Sequence, residues 1–269
     1  MTISSAHHHG LYYPQDPITL AQEARPSDAV IGQAVKALLL PHAAWSQCLP
    51  LLHHALAHTQ SLKTSLILLL APYHGGAKNL PLMVPKSDAL ALPHAQVLFA
   101  TQVRTWLASC FPLAIDDAPF EDESSWELLI PLLDSYHPAV PILPILASDL
   151  TRDHRSRYTA LLDHIYRRYP DTLTLITANA NEPLPSPQAE EGASAFLSWL
   201  TGAEERRNAP ISACNQSALH ALQRQRWIRS MHWRPIGLMC EGRPYEEIPP
   251  SLNDEGRHVW HIAALLEEP

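Results

Sequence analysis

The sequence predicts an α/β fold, a single domain with a largely parallel central sheet flanked by helices. Three observations point to it. First, short strand-like runs recur along the chain: Leu66–Ala71 (LILLLA) is wholly apolar and too short to cross a membrane, Val35–Leu40 (VKALLL) is apolar apart from Lys36, and Val140–Ala147 (VPILPILA) and Thr172–Thr177 (TLTLIT) are further strands. A continuous run bounded by turn residues fits a strand covered on both faces, as in a parallel sheet. Second, segments of helical periodicity separate these runs, and alternation of strand and helix is the mark of this class. Third, two runs end in histidine motifs, Pro41-His42 and Pro72-Tyr73-His74-Gly75-Gly76, spaced like a strand–helix–strand unit.

Composition narrows the classes further. A chain of 269 residues with 46% hydrophobic and 17% charged residues has material for one large core, so residues 1–269 are read as one domain with residues 1–9 flexible. Lys+Arg 19 against Asp+Glu 27 gives a net charge of −8, which argues against a nucleic-acid partner. No run reaches the ~20 apolar residues of a membrane span, and the amino terminus lacks the pattern of a signal peptide. The cysteines Cys48, Cys110, Cys214 and Cys240 have no short paired spacing, so no disulfide framework or zinc ribbon is expected, and the cytoplasm is the default location.

In order, His7, His8 and His9 form too short a tract to read as a metal site, and Tyr12 to Pro17 makes a turn before a short helix ending near Ala24. After the first strand, Pro50 suits the first position of a helix, with Leu51, Leu52, Ala55 and Leu56 on its apolar side. On that helix His54 and His58 are one turn apart, a pairing that fits a solvated face better than a metal. Asn79 to Phe99 is irregular. Thr101 is a candidate cap for a helix that places Val103, Trp106, Leu107 and Cys110 on one face, with Cys110 as a small core residue. The acidic stretch Asp116 to Glu123 leads into Ser124 and Glu127, which have capping-box spacing. The prolines in Val140–Ala147 suit an edge strand or a bulge. Tyr158, Leu161, Leu162, Ile165, Tyr166 and Tyr169 give the clearest helical period in the chain. A loop PLPSPQAEEG follows the last run, then helices near Ala193–Arg207 and Ser212–Arg226, and a tail of mixed β character.

Ligands in open α/β sheets gather at the carboxyl ends of the strands. His42 and His74, delivered there, are a candidate metal or acid–base site. Any one of 16 histidines is more commonly a surface or hydrogen-bonded residue, so it is the pairing at strand ends that carries the expectation.

The order GLYYPQDP, ALLLPHAAW, LLLAPYHGG, EDESSWELLIPLL, PILPILAS, LITANANEP, SACNQSAL and HVWHIAALL resembles the Memo-like family, which includes bacterial proteins called AmmeMemoRadiSam system protein B. The resemblance runs from Gly10 to Leu266. It implies the fold of class III extradiol dioxygenases, whose non-haem iron is held by two histidines and a carboxylate, with a cysteine in the carboxylate's place in this branch. Matched to this chain, the metal ligands would be His42, His74 and Cys214. The ion would be iron or copper, with zinc as an alternative, or none; sulfur softness favours Cu(I) or zinc. Association within the family points to an AMMECR-type or radical-SAM protein partner, beside a small-molecule ligand.

The departures from the family pattern also count. Ser124 stands where the family has a histidine, and Gly75 stands where a second one follows Pro72. Thr177-Ala178-Asn179-Ala180-Asn181-Glu182 replaces a Ser-Ser-Asp-x-x-His motif. Proton transfer needs a titrating group within reach, and Glu127 and Glu182 are the carboxylates left as catalytic candidates. Asn179 reads as a turn residue, while Trp45 and Trp126 either line the pocket or belong to the core. The expectation is a divergent Memo-like protein without ring-cleavage activity. The alternative is a metal-dependent oxidoreductase or dioxygenase acting on a small molecule.

Overall fold

A computed structural model of the chain describes residues 1–32, 34–148, 151–202, 213–240, 243–244 and 256–268. Its centre is the strand Leu66–Pro72, buried at all seven positions, which explains an apolar run with no alternation. Parallel neighbours flank it on both sides. Leu68 lies beside Leu143 of Ile142–Ala147 and beside Thr174 of Thr172–Thr177. Val35–Leu40 then pairs in parallel with Thr172–Thr177. The four runs read as strands are thus consecutive neighbours in one sheet.

The parallel core extends antiparallel on both sides into a nine-stranded sheet. Trp260–Glu267 pairs with Val35–Leu40, and His232–Cys240 pairs with Trp260–Glu267. On the other side, Leu82–Val84 meets Ile142–Ala147 through one bridge, Met83 to Leu146, and then runs parallel to Leu113–Ile115. Ile142–Ala147 is therefore an interior strand, not the edge its prolines suggest. Tyr73 N–H donates to Ala147 O, which turns the odd-numbered residues toward Leu66–Pro72 and Pro144 toward the sparsely bonded side. There a missing N–H costs little.

Each face of the sheet has its own core. Leu66, Leu68 and Leu70 pack with Tyr158, Leu162, Phe196 and Leu219 from the helices Arg152–Arg168, Ser186–Thr201 and Gln216–Gln223. Ile67 and Leu69 pack on the opposite side with Leu51, Leu52 and Leu132 from Trp45–Ala57 and Ile130–Tyr136. Among the described residues, no helix is long and apolar enough to cross a membrane.

Several local expectations change. Pro50 lies inside the helix Trp45–Ala57, which begins five residues earlier. The cap of Ser124–Glu127 is Glu123, whose carboxylate accepts Ser125 N–H, so Ser124 and Glu127 form no capping box. Thr101 opens its helix without capping it, and Cys110, at the last position of that helix, is exposed. Pro187 lies in the first turn of Ser186–Thr201, which turns most of the expected PLPSPQAEEG loop into helix. Ser212 and the stretch of Ala193–Arg207 beyond Gly202 lie outside the described residues. At the amino terminus, Ile3–Ser5 is a strand parallel to Ala89–Ala91, and Asp16 caps Pro17–Glu23 by accepting Thr19 N–H at 2.8 Å.

Candidate metal centre

Three of the four parallel strands each deliver a polar side chain two residues beyond their end: His42 after Leu40, His74 after Pro72, and Asn179 after Thr177. Cys214 arrives from a different direction, just ahead of the helix Gln216–Gln223. One ligand atom from each of His42, His74 and Cys214 lies within 4.8 Å of the other two.

Each member is held by a further partner. His42 Nδ1 lies 3.1 Å from Thr177 Oγ1, which leaves Nε2 facing Cys214 Sγ at 3.4 Å. The His74 ring, about half exposed, has Nδ1 2.9 Å from Glu123 Oε2, and the same oxygen accepts the His74 backbone N–H at 2.8 Å. Cys214 Sγ accepts Asn179 N–H at 3.1 Å. The Asn179 side-chain oxygen accepts His42 N–H and lies 3.1 Å from His261 Nδ1, so that nitrogen carries the proton.

Proton affinities follow from this geometry. Burial would push the Cys214 thiol up, but His42, the His74 hydrogen bond and Asn179 N–H outweigh it and draw the thiol down to about 6. Hydrogen bonds from His74 to Cys214 and to Glu123 overcome its burial and raise it to about 10. Burial alone would raise the Glu123 carboxyl, yet its bonds to His74 and to Ser125 N–H hold it at about 2. Burial, helped by His42, keeps His261 neutral down to about 4. These shifts favour the charged forms of Cys214, His74 and Glu123.

Such a group suits an ion that takes soft sulfur and imidazole together. Around a tetrahedral centre with Zn–N of ~2.0 Å and Zn–S of ~2.3 Å, neighbouring ligand atoms stand roughly 3.3–3.8 Å apart. The 3.4 Å contact between Cys214 and His42 already has that separation. The residue types fit such an ion, and the three ligand atoms, within 4.8 Å of one another, would draw together around it.

A cavity of about 910 Å³ opens over these ligands, lined among others by Tyr12, Tyr73, Lys78, Ser148, Glu182 and Asn215. Glu182 stands on its wall. Glu127 does not: its carboxylate is fully buried and accepts His8 N–H at 2.8 Å, His7 N–H at 3.0 Å and the Tyr13 hydroxyl at 2.8 Å. Trp45 and Trp126 are core, their indole N–H groups donating to Leu128 O and Phe120 O. His54 and His58 have rings 5.8 Å apart and are not members of the cluster. Sequence reasoning missed Glu123 as the partner of His74, because it sits in an acidic run of no particular pattern. It also missed His261. Asn179 could have been found, since it repeats the strand-end spacing of the two histidines.

A family model described as Memo-like protein matches residues 4–181. Curated proteins give no match. Among solved structures, the chain superposes on the crystal structure of uncharacterized protein JW3007 from Escherichia coli K12 with a TM-score of 0.48. The two are 11% identical, over 86% of this chain and 99% of that one.

Proposed function

The chain belongs to the Memo-like family, and on that premise we propose that it binds a metal ion through His42, His74 and Cys214 and is a divergent member without ring-cleavage activity. The observation that carries the reading is the convergence of three ligand atoms within 4.8 Å, each side chain fixed by a further partner. Metal-bound imidazoles characteristically give their other nitrogen to such a partner; here these are Thr177 Oγ1 and the Glu123 carboxylate. One thiolate and two imidazoles suit copper or zinc, and iron with them. A bound ion would supply Lewis acidity or redox chemistry at the cavity floor.

The cavity walls support the loss of ring cleavage. Asn179 and Ser124 cannot exchange a proton near neutral pH. General acid–base help contributes roughly 10²–10⁴-fold, so little rate survives without a substitute. A metal-dependent oxidoreductase acting on a small molecule is the second reading. It is favoured by Glu182, a titratable carboxylate on the cavity wall. In that reading Glu182 would take the proton role, and Glu127 would act only through the segment it anchors.

Protein purified without an affinity tag, loaded separately with Cu(I), Fe(II) and Zn(II), tests the reading by elemental analysis. A single retained equivalent is expected, lost in His42→Ala, His74→Ala and Cys214→Ala. Full retention in Cys214→Ala would overturn it. Oxygen uptake by the Fe(II)-loaded protein over a panel of catechols should stay at background. Turnover that vanishes in His74→Ala would instead establish the second reading.

A further inference from the structure

Asn179 is tied by its own atoms to two of the three residues that would hold the ion. Its backbone N–H donates to Cys214 Sγ at 3.1 Å, and its side-chain Oδ1 accepts the His42 backbone N–H at 3.4 Å. That N–H can only donate, so the amide cannot turn over without setting one donor against another. His261 Nδ1, 3.1 Å from the same oxygen, pins it a second time. The clamp is built from the sheet. Val35–Leu40 and Thr172–Thr177 lead into His42 and Asn179, and His261 belongs to Trp260–Glu267, which pairs with Val35–Leu40 on its other side.

The opposite end of the amide is free. No hydrogen bond reaches Asn179 Nδ2 among the described residues, and the atom keeps accessible surface on a side chain that lines the cavity. It is a donor fixed in direction and left unused, on a residue in direct contact with the thiol. Three protein ligands leave one position of a tetrahedral ion to an outside ligand. A spare donor beside that ion favours outside ligands that keep a lone pair after binding, and a charged acceptor makes the stronger bond.

We propose that Asn179 selects the outside ligand of this centre, its Nδ2 donating to a small oxygen- or nitrogen-donor anion bound to the ion held by His42, His74 and Cys214. The proposal rests on the metal reading above and adds to it a ligand class and the residue that chooses it.

The full chain loaded with Co(II), its metal content fixed by elemental analysis, is titrated with azide and separately with imidazole while the visible bands of the cobalt are followed. Azide keeps an acceptor atom after binding, whereas imidazole presents an N–H. Asn179→Asp retains the oxygen that faces His42 and His261 and replaces the free donor by an acceptor. It should bind azide at least about tenfold more weakly, the loss of a hydrogen bond to a charged acceptor, and imidazole no less tightly than the wild type. General damage to the site would weaken both. Where a thermal melt shows Asn179→Asp unfolded, or its azide-free cobalt spectrum departs from that of the wild type, the azide affinity of Asn179→Ala decides. Absence of azide binding to the cobalt-loaded wild type, undiminished azide binding in the deciding variant, or equal weakening of azide and imidazole in Asn179→Asp would overturn this proposal alone. Failure to retain cobalt would overturn it together with the metal reading, and elemental analysis tells the two failures apart.

Discussion

Glu123 holds His74 twice, through its backbone N–H at 2.8 Å and its ring Nδ1 at 2.9 Å. The two bonds fix both where the residue stands and which nitrogen it presents. Glu123→Gln preserves the volume but removes the charge that sets this orientation. Losing such a partner typically costs 10–100-fold in metal affinity. Competition against a chromophoric chelator should show a drop of about that size with the melting profile little changed. An unaltered affinity would mean that Glu123 serves only as the cap of Ser124–Glu127.

Glu127 gives the opposite expectation. Its buried carboxylate accepts two backbone N–H groups and a tyrosine hydroxyl, fastening the segment around His7 and His8 to the body of the protein. Glu127→Ala strands those donors, and a buried donor left without its acceptor costs roughly 1–3 kcal/mol. Urea unfolding should reveal that loss while metal content per folded molecule stays the same. A variant of wild-type stability with altered metal content would contradict it.

His137 should make the protein acid-sensitive. Thr59 Oγ1 gives its one proton to Leu56 O at 2.7 Å, so it accepts from His137 Nε2 at 2.8 Å. Burial holds the His137 pKa below its ordinary 6.5. The unfolded chain therefore takes up a proton first as pH falls through about 6.5, and stability declines from there toward the folded-state pKa. Melting temperatures between pH 7.5 and pH 5, both roughly one unit or more from the ordinary histidine value, should fall for the wild type. They should fall less for His137→Gln, and parallel slopes would count against the assignment.

Gly75 and Tyr73 form a coupled pair. A Cβ on residue 75 would collide with Cζ and Oη of the Tyr73 ring, which lines the cavity mouth. Gly75→Ala should push the end of the half-buried Tyr73 ring aside at less than the ~1–3 kcal/mol of an overpacked core, and Tyr73→Ala should remove most of that penalty. A double-mutant cycle by chemical denaturation measures the coupling. Additive costs would mean that the ring moves aside freely.

The sheet was legible where the chain is buried on both faces. Leu66–Ala71 carries an unbroken apolar run because nothing around it faces water, and Thr172–Thr177 is likewise buried at every position although threonines alternate with its apolar residues. Leu82–Val84 and Leu113–Ile115 escaped notice because three residues are too few to show a period. In the site, Pro41-His42 and Pro72-Tyr73-His74 were visible from position alone. Cys214 was visible only through resemblance, since its place ahead of a helix depends on long-range packing. Pro144 misled because its strand is interior by order yet nearly unpaired on the side that proline faces. Glu123 could not be told from its acidic neighbours until the fold set it beside His74.

The three ligands come from the ends of two parallel strands and the approach to a late helix, far apart along the chain. An unfolded polypeptide offers none of this arrangement in advance, so the proposed ion-binding site comes into being only when the non-local strand pairing is complete. Parallel pairings of this kind form slowly, because long loops must close before any contact repays them. An ion with affinity for the finished site alone would act as a latch: it would leave the rate of folding largely untouched, slow the reverse step, and make resistance to unfolding rise with the free ion concentration.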